Sequence, residues 1–580
     1  MKRLNTILDK LIKYSYFTLL IYSILFTGIS YISINTTSQI YDYSFHLARI
    51  IGLAQSIQNN DWLPNLNFLF LNGAGYAVPM FYGNWMFYIP ALVFLATKVG
   101  TLAFTSFVFL LTLATSFTSY YAASKITGSK KRALLFAIVA PTLTTYFGFG
   151  MTAVVPLIPL LIYAIYKVLY LDDLNPILLS VVIALLVQTH IISTLVLAIA
   201  SLILVILNIK RLNFKKIVSF FSSIFIAILL SLGFIFQYIE QSQSQVFFVN
   251  WKLRDFPFPT AALMTSENII QIVKNYYFPL SLIILLITFI YFKKINTFSK
   301  QLVLLSTILL VSSSEILPWE NFLKYSFLAV FQYSTRLIYF LPFFIFMAIC
   351  FSAPKKFSII VVFLQLFVYL FTNPFAFLPN SSNYAKKYGL IDSNINVMRS
   401  QNSKAVNAFT NPTLTTYDTS GDEYLNLDIN HENARNGVIN QFVYNENLVQ
   451  LNNIKQGYNN LEFDVEMSSS NEQKIVLPRI WYKGYSAYYS NGIKGTQPKI
   501  EYNNLSFEEK KQYVEARKPD ITKKALFDGR AVIKVSGSGH VRVTYQKTTL
   551  QIIGFLLELL SFTIIGAYVV VNSFRLKVNK

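Results

Sequence analysis

The sequence predicts a polytopic α-helical membrane protein, similar in plan to a multi-span bundle, with an outer β-sandwich-like domain before its last span. Three observations predict it. Of 580 residues, 54% are hydrophobic and 16% aromatic, and only 13% are charged, where soluble domains carry about 25%. The apolar residues gather into long runs, and about 20 such residues cross a bilayer as one helix. Composition then changes abruptly over 374–548, where Asn, Ser, Thr, Gly and charged residues dominate.

The first apolar run, 14–34, follows Lys2, Arg3, Lys10 and Lys13. It is too long for a signal-peptide core and lacks a small-residue cleavage site, so it reads as an uncleaved span with a cytoplasmic N-terminus. Further spans are expected at 101–123, 132–149, 152–171, 176–189, 191–208, 216–236, 278–293, 300–316, 333–352, 357–373 and 549–573. Segment 84–97 is short. Counted as a crossing, it would move Lys130-Lys131-Arg132 outside, against the positive-inside rule, so it reads as tilted or partly inserted. The stretch 176–208 exceeds one crossing and divides into two helices turning near His190. About twelve spans result, with both termini cytoplasmic, in keeping with Arg575 and Lys577 after the last.

The net charge of +21 follows the same logic, because Lys210-Arg211, Lys215-Lys216, Lys293-Lys294 and Lys355-Lys356 sit in short loops beside apolar runs. No basic patch is interleaved with a nucleic-acid-binding module, so nucleic acid is not an expected partner. The single cysteine, Cys350, excludes a disulfide framework or a cysteine zinc site within one chain.

This topology gives a membrane domain over 1–373 with outer loops 35–83 and 237–277, an extracytoplasmic domain over 374–548, and a final span with its tail over 549–580. Strands are expected at Ile475-Val476-Leu477, Trp481-Tyr482, Ser486 to Tyr489, Ala531 to Val535 and Val541 to Tyr545, between Gly, Asn and Pro turn signals. The Asn-rich stretch 400–460 reads as loose or partly helical.

Chemistry concentrates at the first outer loop. Asp42, His46 and Arg49 are four and then three residues apart, which places them on one helical face. Asp42 suits a general base or a divalent-cation ligand. His46 suits a metal ligand or an anion-positioning group, and Arg49 a bidentate phosphate clamp. The alternative is an interfacial amphipathic helix with Phe45, Leu47, Ile50 and Leu53 facing lipid. Downstream, Asp61-Trp62-Leu63-Pro64 and Asn72 through Tyr82 are rich in Gly, Pro and aromatics. They suit either a saccharide platform or a membrane-interface aromatic belt. Arg336 begins a span at the outer boundary, where it binds phosphate or snorkels to headgroups. His190, Glu240, Tyr82 and Gln332 are further outer-face candidates. Glu240 reads as part of a loop after 216–236. Arg254 and Asp255 can pair with each other, Glu315 and Glu320 flank Pro318-Trp319, and Glu558 lies within the last span.

Several of these motifs carry a resemblance. Asp42-x-x-Phe45-His46-Leu47-x-Arg49, Trp62-x-Pro64, a Gly-Tyr-Gly-like turn at Gly75-Tyr76-Ala77 and Phe81-Tyr82 resemble the YfhO-like bacterial membrane proteins and the related family labelled 6-pyruvoyl-tetrahydropterin synthase-related. Gln188-Thr189-His190 resembles that family's mid-chain His. Phe331-Gln332-Tyr333-Ser334-Thr335-Arg336 resembles its Phe-Gln-Phe-Pro-x-Arg motif, with Tyr333-Ser334-Thr335 departing from the core and Arg336 kept. Trp481-Tyr482-Lys483-Gly484-Tyr485 followed by Asn491-Gly492 resembles its outer β-domain pattern. The resemblance covers nearly the whole chain and implies a fold similar to C-type glycosyltransferases, which use polyprenyl-phosphate sugar donors.

By matching motif, Asp42 takes the role of the acidic residue that acts there as base or metal-linked group. No second acid adjoins Asp42, so the paired-acid form is absent and a divalent cation stays open. In the resulting hypothesis His46 supports Asp42 in catalysis, and Arg49 and Arg336 bind the donor phosphate. The expected function is transfer of a sugar from polyprenyl phosphate to a cell-surface polymer on the outer face of a bacterial membrane. A flippase for lipid-linked sugars would need polar groups deep in several spans or broken helices, whereas those here cluster at outer ends. A non-catalytic envelope-assembly protein would depend on 374–548 rather than on Asp42.

Overall fold

Long apolar runs satisfy their backbone polar groups by folding as helices, and the computed structural model is helical over part or all of each expected segment. The segment 132–149, expected as one span, is α-helical only to Val139, with a short 3-10 turn at Ala140–Leu143 around Pro141. It describes residues 9–36, 43–144, 150–245, 247, 278–319, 321–372, 424–426, 429, 437–490, 495–496, 501–502 and 529–578. In chain order the helices begin with α1 (Ser15–Thr36), α2 (Tyr43–Gln58), α3 (Tyr88–Thr97), α4 (Gly100–Thr127), α5 (Lys130–Val139), α6 (Ile158–Tyr170), α7 (Ile177–Thr189) and α8 (Ile191–Leu207). They continue with α9 (Phe214–Leu229), α10 (Leu232–Ser244), α11 (Phe278–Ile290), α12 (Thr297–Ser313), α13 (Leu341–Ser352), α14 (Lys355–Thr372) and α15 (Thr549–Val578). Among the described residues, four stretches are long and apolar enough to cross a membrane alone: Gly100–Thr127, Gly150–Tyr170, Ser334–Ser352 and Thr549–Asn572. Counting α9 and α10 as one broken span makes five. Shorter apolar helices, including Trp85–Thr97 and Thr297–Ser313, accompany them.

Segment 84–97 is short, as expected, and 176–208 breaks at His190. The segment 216–236 differs: it is interrupted at 230–231 and α10 runs on to Ser244, so Glu240 is helical rather than in a loop. Asp42, most of the second outer loop with Arg254 and Asp255, Glu320, most of 373–436 and Asn491-Gly492 lie outside the described residues.

Contacts divide the chain into two compact units, each discontinuous in sequence. The first comprises Met1–Tyr41, Thr105–Ile228 and Lys252–Met398; the second comprises Asp42–Phe104, Leu229–Trp251 and Arg399–Lys580. The grouping differs from the linear division at 373 and 548, because stretches of both expected outer loops share a unit with the β domain and the last helix.

In the first unit, α13 is the centre. Every residue from Leu341 to Phe351 is buried, and α13 packs against α12, α11 and α5. Arg132 closes its C-terminus: Nη1 donates to the Cys350 carbonyl and Nη2 to that of Ala353, both at 3.0 Å. A cation there satisfies orphan carbonyls and the helix dipole. Buried amides tie other helices together. Gln301 Nε2 donates to Asn208 Oδ1 at 2.7 Å, and the Tyr170 hydroxyl to the same oxygen at 2.9 Å.

In the second unit the chain forms two sheets. The strands are β1 (Val449–Gly457), β2 (Asn460–Met467), β3 (Gln473–Ile480), β4 (Tyr485–Ser490), β5 (Gly495–Thr496), β6 (Glu501–Tyr502), β7 (Arg530–Val535) and β8 (Gly539–Tyr545). A five-stranded sheet has the order β1-β2-β8-β4-β5 and a three-stranded sheet the order β3-β7-β6. Alternation makes the sandwich: on β8, Val541, Val543 and Tyr545 are buried while His540 and Arg542 point outward. One core joins Phe463, Val465 and Val543 from the first sheet with Ile475, Leu477 and Ile533 from the second. Trp481 and Tyr482, expected in a strand, instead lie in the turn after β3. The Asn-rich stretch, expected to be loose or partly helical, supplies all of β1.

Candidate functional site

The second unit holds the densest set of candidate residues. Helix α2 is buried on several sides: Phe45, Leu47, Ile50, Ile51, Leu53 and Ala54 are all enclosed. This corrects the interfacial reading, in which Phe45, Leu47, Ile50 and Leu53 faced lipid. Gly52 is one reason for the enclosure. A Cβ there would clash with the Asn67 side-chain amide, so glycine lets Asn67 of the following loop pack directly against the helix. That loop is closed by Asn67 and Tyr76, which exchange backbone hydrogen bonds of 2.8 and 3.0 Å. The chain then leads through Val78–Phe81 to Tyr82.

Enclosure buries a charge. Arg49 is 4% exposed and His46 6%. Arg49 Nη2 donates to the carbonyls of Tyr82 and Gly83, both at 3.1 Å, and approaches Asn84 Oδ1 at 3.4 Å. Its Nη1 lies 3.4 Å from His46 Nδ1, a contact that requires an unprotonated ring nitrogen. The guanidinium carbon sits 4.6 Å from the Phe87 ring centroid, 4.9 Å from that of Tyr82 and 5.9 Å from that of Phe45. Its Nε has no hydrogen-bond partner among the described residues, and no carboxylate faces it among them. Burial draws the guanidinium down to about 10, with Tyr82, Tyr424 and Tyr76 acting in the opposite direction, so it stays charged at neutral pH. Such a charge is costly in a protein interior unless paired. Neutral carbonyls and aromatic faces offset only part of that cost.

The cage extends through aromatics. Tyr424 stacks on Phe81 at 4.6 Å and meets Tyr82 edge-on at 5.6 Å, and Phe81 meets Tyr238 of α10 at 5.7 Å. The structure brings His46 and Arg49 together, as their spacing suggested, and sets Tyr82, a separate candidate in the sequence, beside them. Phe87 and Tyr424 complete the cage. Sequence reasoning missed both, because aromatic residues are too frequent in this chain for any one to stand out.

Glu240 has a different set of partners. It is 5% exposed; Oε2 accepts from Thr548 Oγ1 at 2.7 Å and Gln551 Nε2 at 3.0 Å, and Oε1 lies 3.4 Å from Lys483 Nζ. Asn65 Nδ2 donates to Gln237 at 2.6 Å and Gln551 at 3.1 Å. Gln241 grips the β3–β4 turn, donating to the Lys483 carbonyl at 2.7 Å and accepting from its amide at 3.1 Å. The residues that carry the β-domain resemblance, Trp481 through Tyr485, thus join the sandwich to α10 and to the start of α15. Glu240→Leu takes the acceptor from the buried Gln551 amide and the half-buried Thr548 hydroxyl. The expected cost is about 1–3 kcal/mol for each, read as a lower thermal midpoint of the purified protein.

The remaining candidates belong to the first unit. His190 breaks α7 from α8 and caps the latter: Nδ1 accepts from the Ser193 amide at 3.1 Å and lies 2.7 Å from its hydroxyl. Gln332 takes a left-handed backbone, φ 60°, which costs a non-glycine residue energy. Arg336 lies 5.2 Å from the Tyr333 ring centroid, in the first turns of Ser334–Ser352. No group of three or more His, Cys, Asp or Glu suited to a metal occurs among the described residues.

Comparison of the chain with family models, with curated proteins and with solved structures gave no match.

Proposed function

We propose that this chain is a membrane glycosyltransferase that moves a sugar from a polyprenyl-phosphate donor to a cell-envelope polymer, with Arg49 holding the donor phosphate. The observation that carries the reading is the caged guanidinium. It is a permanent charge, buried among neutral acceptors and aromatic faces, with an Nε–H still to be matched among the described residues. A phosphate supplies what that site lacks, since guanidinium and phosphate match in charge and in planar, bidentate geometry.

In this reading the chain has about twelve spans, with both termini cytoplasmic and the sandwich on the outer face of a bacterial membrane. The acceptor hydroxyl oxygen attacks the anomeric carbon as the bond from that carbon to the phosphate oxygen breaks. Asp42 takes the hydroxyl proton, and the polyprenyl phosphate leaves with the electron pair. Arg49 meets the charge that develops on it. His46 orients Arg49.

The test is sugar transfer by the purified protein in bilayers supplied with polyprenyl-phosphate sugars and envelope polymer. Transfer by the wild type and its loss in Asp42→Ala are expected. A flippase would instead move the labelled lipid across the bilayer without transfer, and an assembly protein would do neither.

A further inference from the structure

Within the second unit, large apolar side chains are exposed in one neighbourhood. Trp62 is 51% exposed, Leu63 55%, Ile89 54%, Leu92 46% and Trp85 39%. Three hydrogen bonds fix where this surface lies. The Tyr88 hydroxyl donates to the Trp62 carbonyl, which ties α3 to the Trp62–Leu63 tip. Lys547, two residues before α15, donates through Nζ to the Leu63 carbonyl and lies 5.9 Å from the Phe555 ring centroid. Asn65 bonds Gln551 in the first turn of α15 at 3.1 Å. The tip is therefore held at the level where α15 begins.

That helix fixes the surroundings. Its most apolar 18-residue window, within Thr549–Asn572, has a mean hydropathy of 2.1 and only 6% of it is buried, so the sides away from α10 are left for lipid. Leu550, Ile552 and Ile553 in its first turns are exposed as well, and they continue the apolar surface of the tip. A helix that crosses a bilayer passes the headgroup region at its first turn. Tryptophan is enriched there because its ring is apolar and its N–H is polar.

We infer that the Trp62–Leu63 tip, with Trp85, Ile89 and Leu92, seats in the headgroup–acyl boundary of the bilayer beside the entry of α15. The occupant of this surface is lipid. The seat settles the choice between a saccharide platform and an interfacial belt for Trp62 in favour of the belt. It does not depend on the glycosyltransferase reading.

The experiment uses the full chain with Cys350→Ala, which removes the only native cysteine. Leu63→Cys carries a polarity-sensitive fluorophore, and the protein is reconstituted in phosphatidylcholine nanodiscs. Quenching is compared for lipids spin-labelled near the glycerol, for lipids spin-labelled near the chain end, and for aqueous iodide. Tyr488→Cys, on the exposed face of the sandwich, is the water-facing reference. The expected result is a blue-shifted emission at 63, with quenching by the shallow spin label several-fold stronger than by the deep label or iodide. Iodide quenching equal to that at 488, without lipid quenching, would place the tip in water and overturn the inference. Protection from all three quenchers would mean that protein covers the surface, which overturns it equally. Ile89→Cys is read in the same way, so a folding failure at 63 leaves the question decidable.

Discussion

Arg49→Ala lowers the turnover of sugar transfer by about 100- to 1,000-fold, the loss that follows removal of one well-placed donor to a developing negative charge. Arg49→Lys does not restore it. An ammonium keeps the charge but cannot reach the Tyr82 and Gly83 carbonyls and an incoming phosphate through one planar fork. The thermal midpoint separates this account from a purely structural role. In the native chain the buried guanidinium is costly, so its removal should leave the fold close to wild-type stability while turnover collapses. A midpoint that falls in step with turnover would make Arg49 a strut of the Tyr82–Asn84 turn instead.

Gly484→Ala has the largest expected effect on stability. Gly484 has φ 129°, and a Cβ there would lie 2.6 Å from the Gln546 carbonyl oxygen and 2.7 Å from the Tyr545 ring. The carbonyl belongs to backbone, so it cannot swing away. The backbone strain costs about 1–3 kcal/mol and the overpacking about 1–3 kcal/mol more. Together they remove a large share of the 5–15 kcal/mol typical of a folded domain. The damage spreads, because the neighbouring Lys483 carbonyl receives both Gln241 and the Tyr545 hydroxyl, the latter at 3.0 Å. A sharp fall in thermal midpoint and protease sensitivity in the 485–545 region are expected. A midpoint unchanged from wild type would show that the turn is looser than its geometry.

How far the sequence could be read varied by the kind of signal. Helix positions were legible, since long apolar runs leave the backbone no other partner. The break at His190 was legible for the same reason of length. The pairing of His46 with Arg49 was legible from helical spacing, because three residues bring side chains to one face. Strand β1 was not. Its Asn content looks like loop, yet Asn453 and Asn459 take left-handed φ of 51° and 46°, one within the register shift between Asn452 and Lys455 and the other in the turn to β2. Asparagine suits such positions, so the residues that hid the hairpin are ones that shape it. The burial of Glu240 was also hidden. Its partners Lys483, Thr548 and Gln551 lie more than 240 residues away, and no local pattern signals a distant donor. The grouping of 42–104 and 229–251 with the sandwich is illegible for that reason too.

The claim that Arg49 holds a phosphate is tested most directly by binding. Purified wild-type and Arg49→Ala proteins in nanodiscs are titrated with polyprenyl phosphate and with the uncharged polyprenol. The account predicts saturable binding of the phosphate by the wild type, weak binding of the alcohol, and loss of the difference between the two in Arg49→Ala. Equal preference for the phosphate in wild type and Arg49→Ala would contradict it.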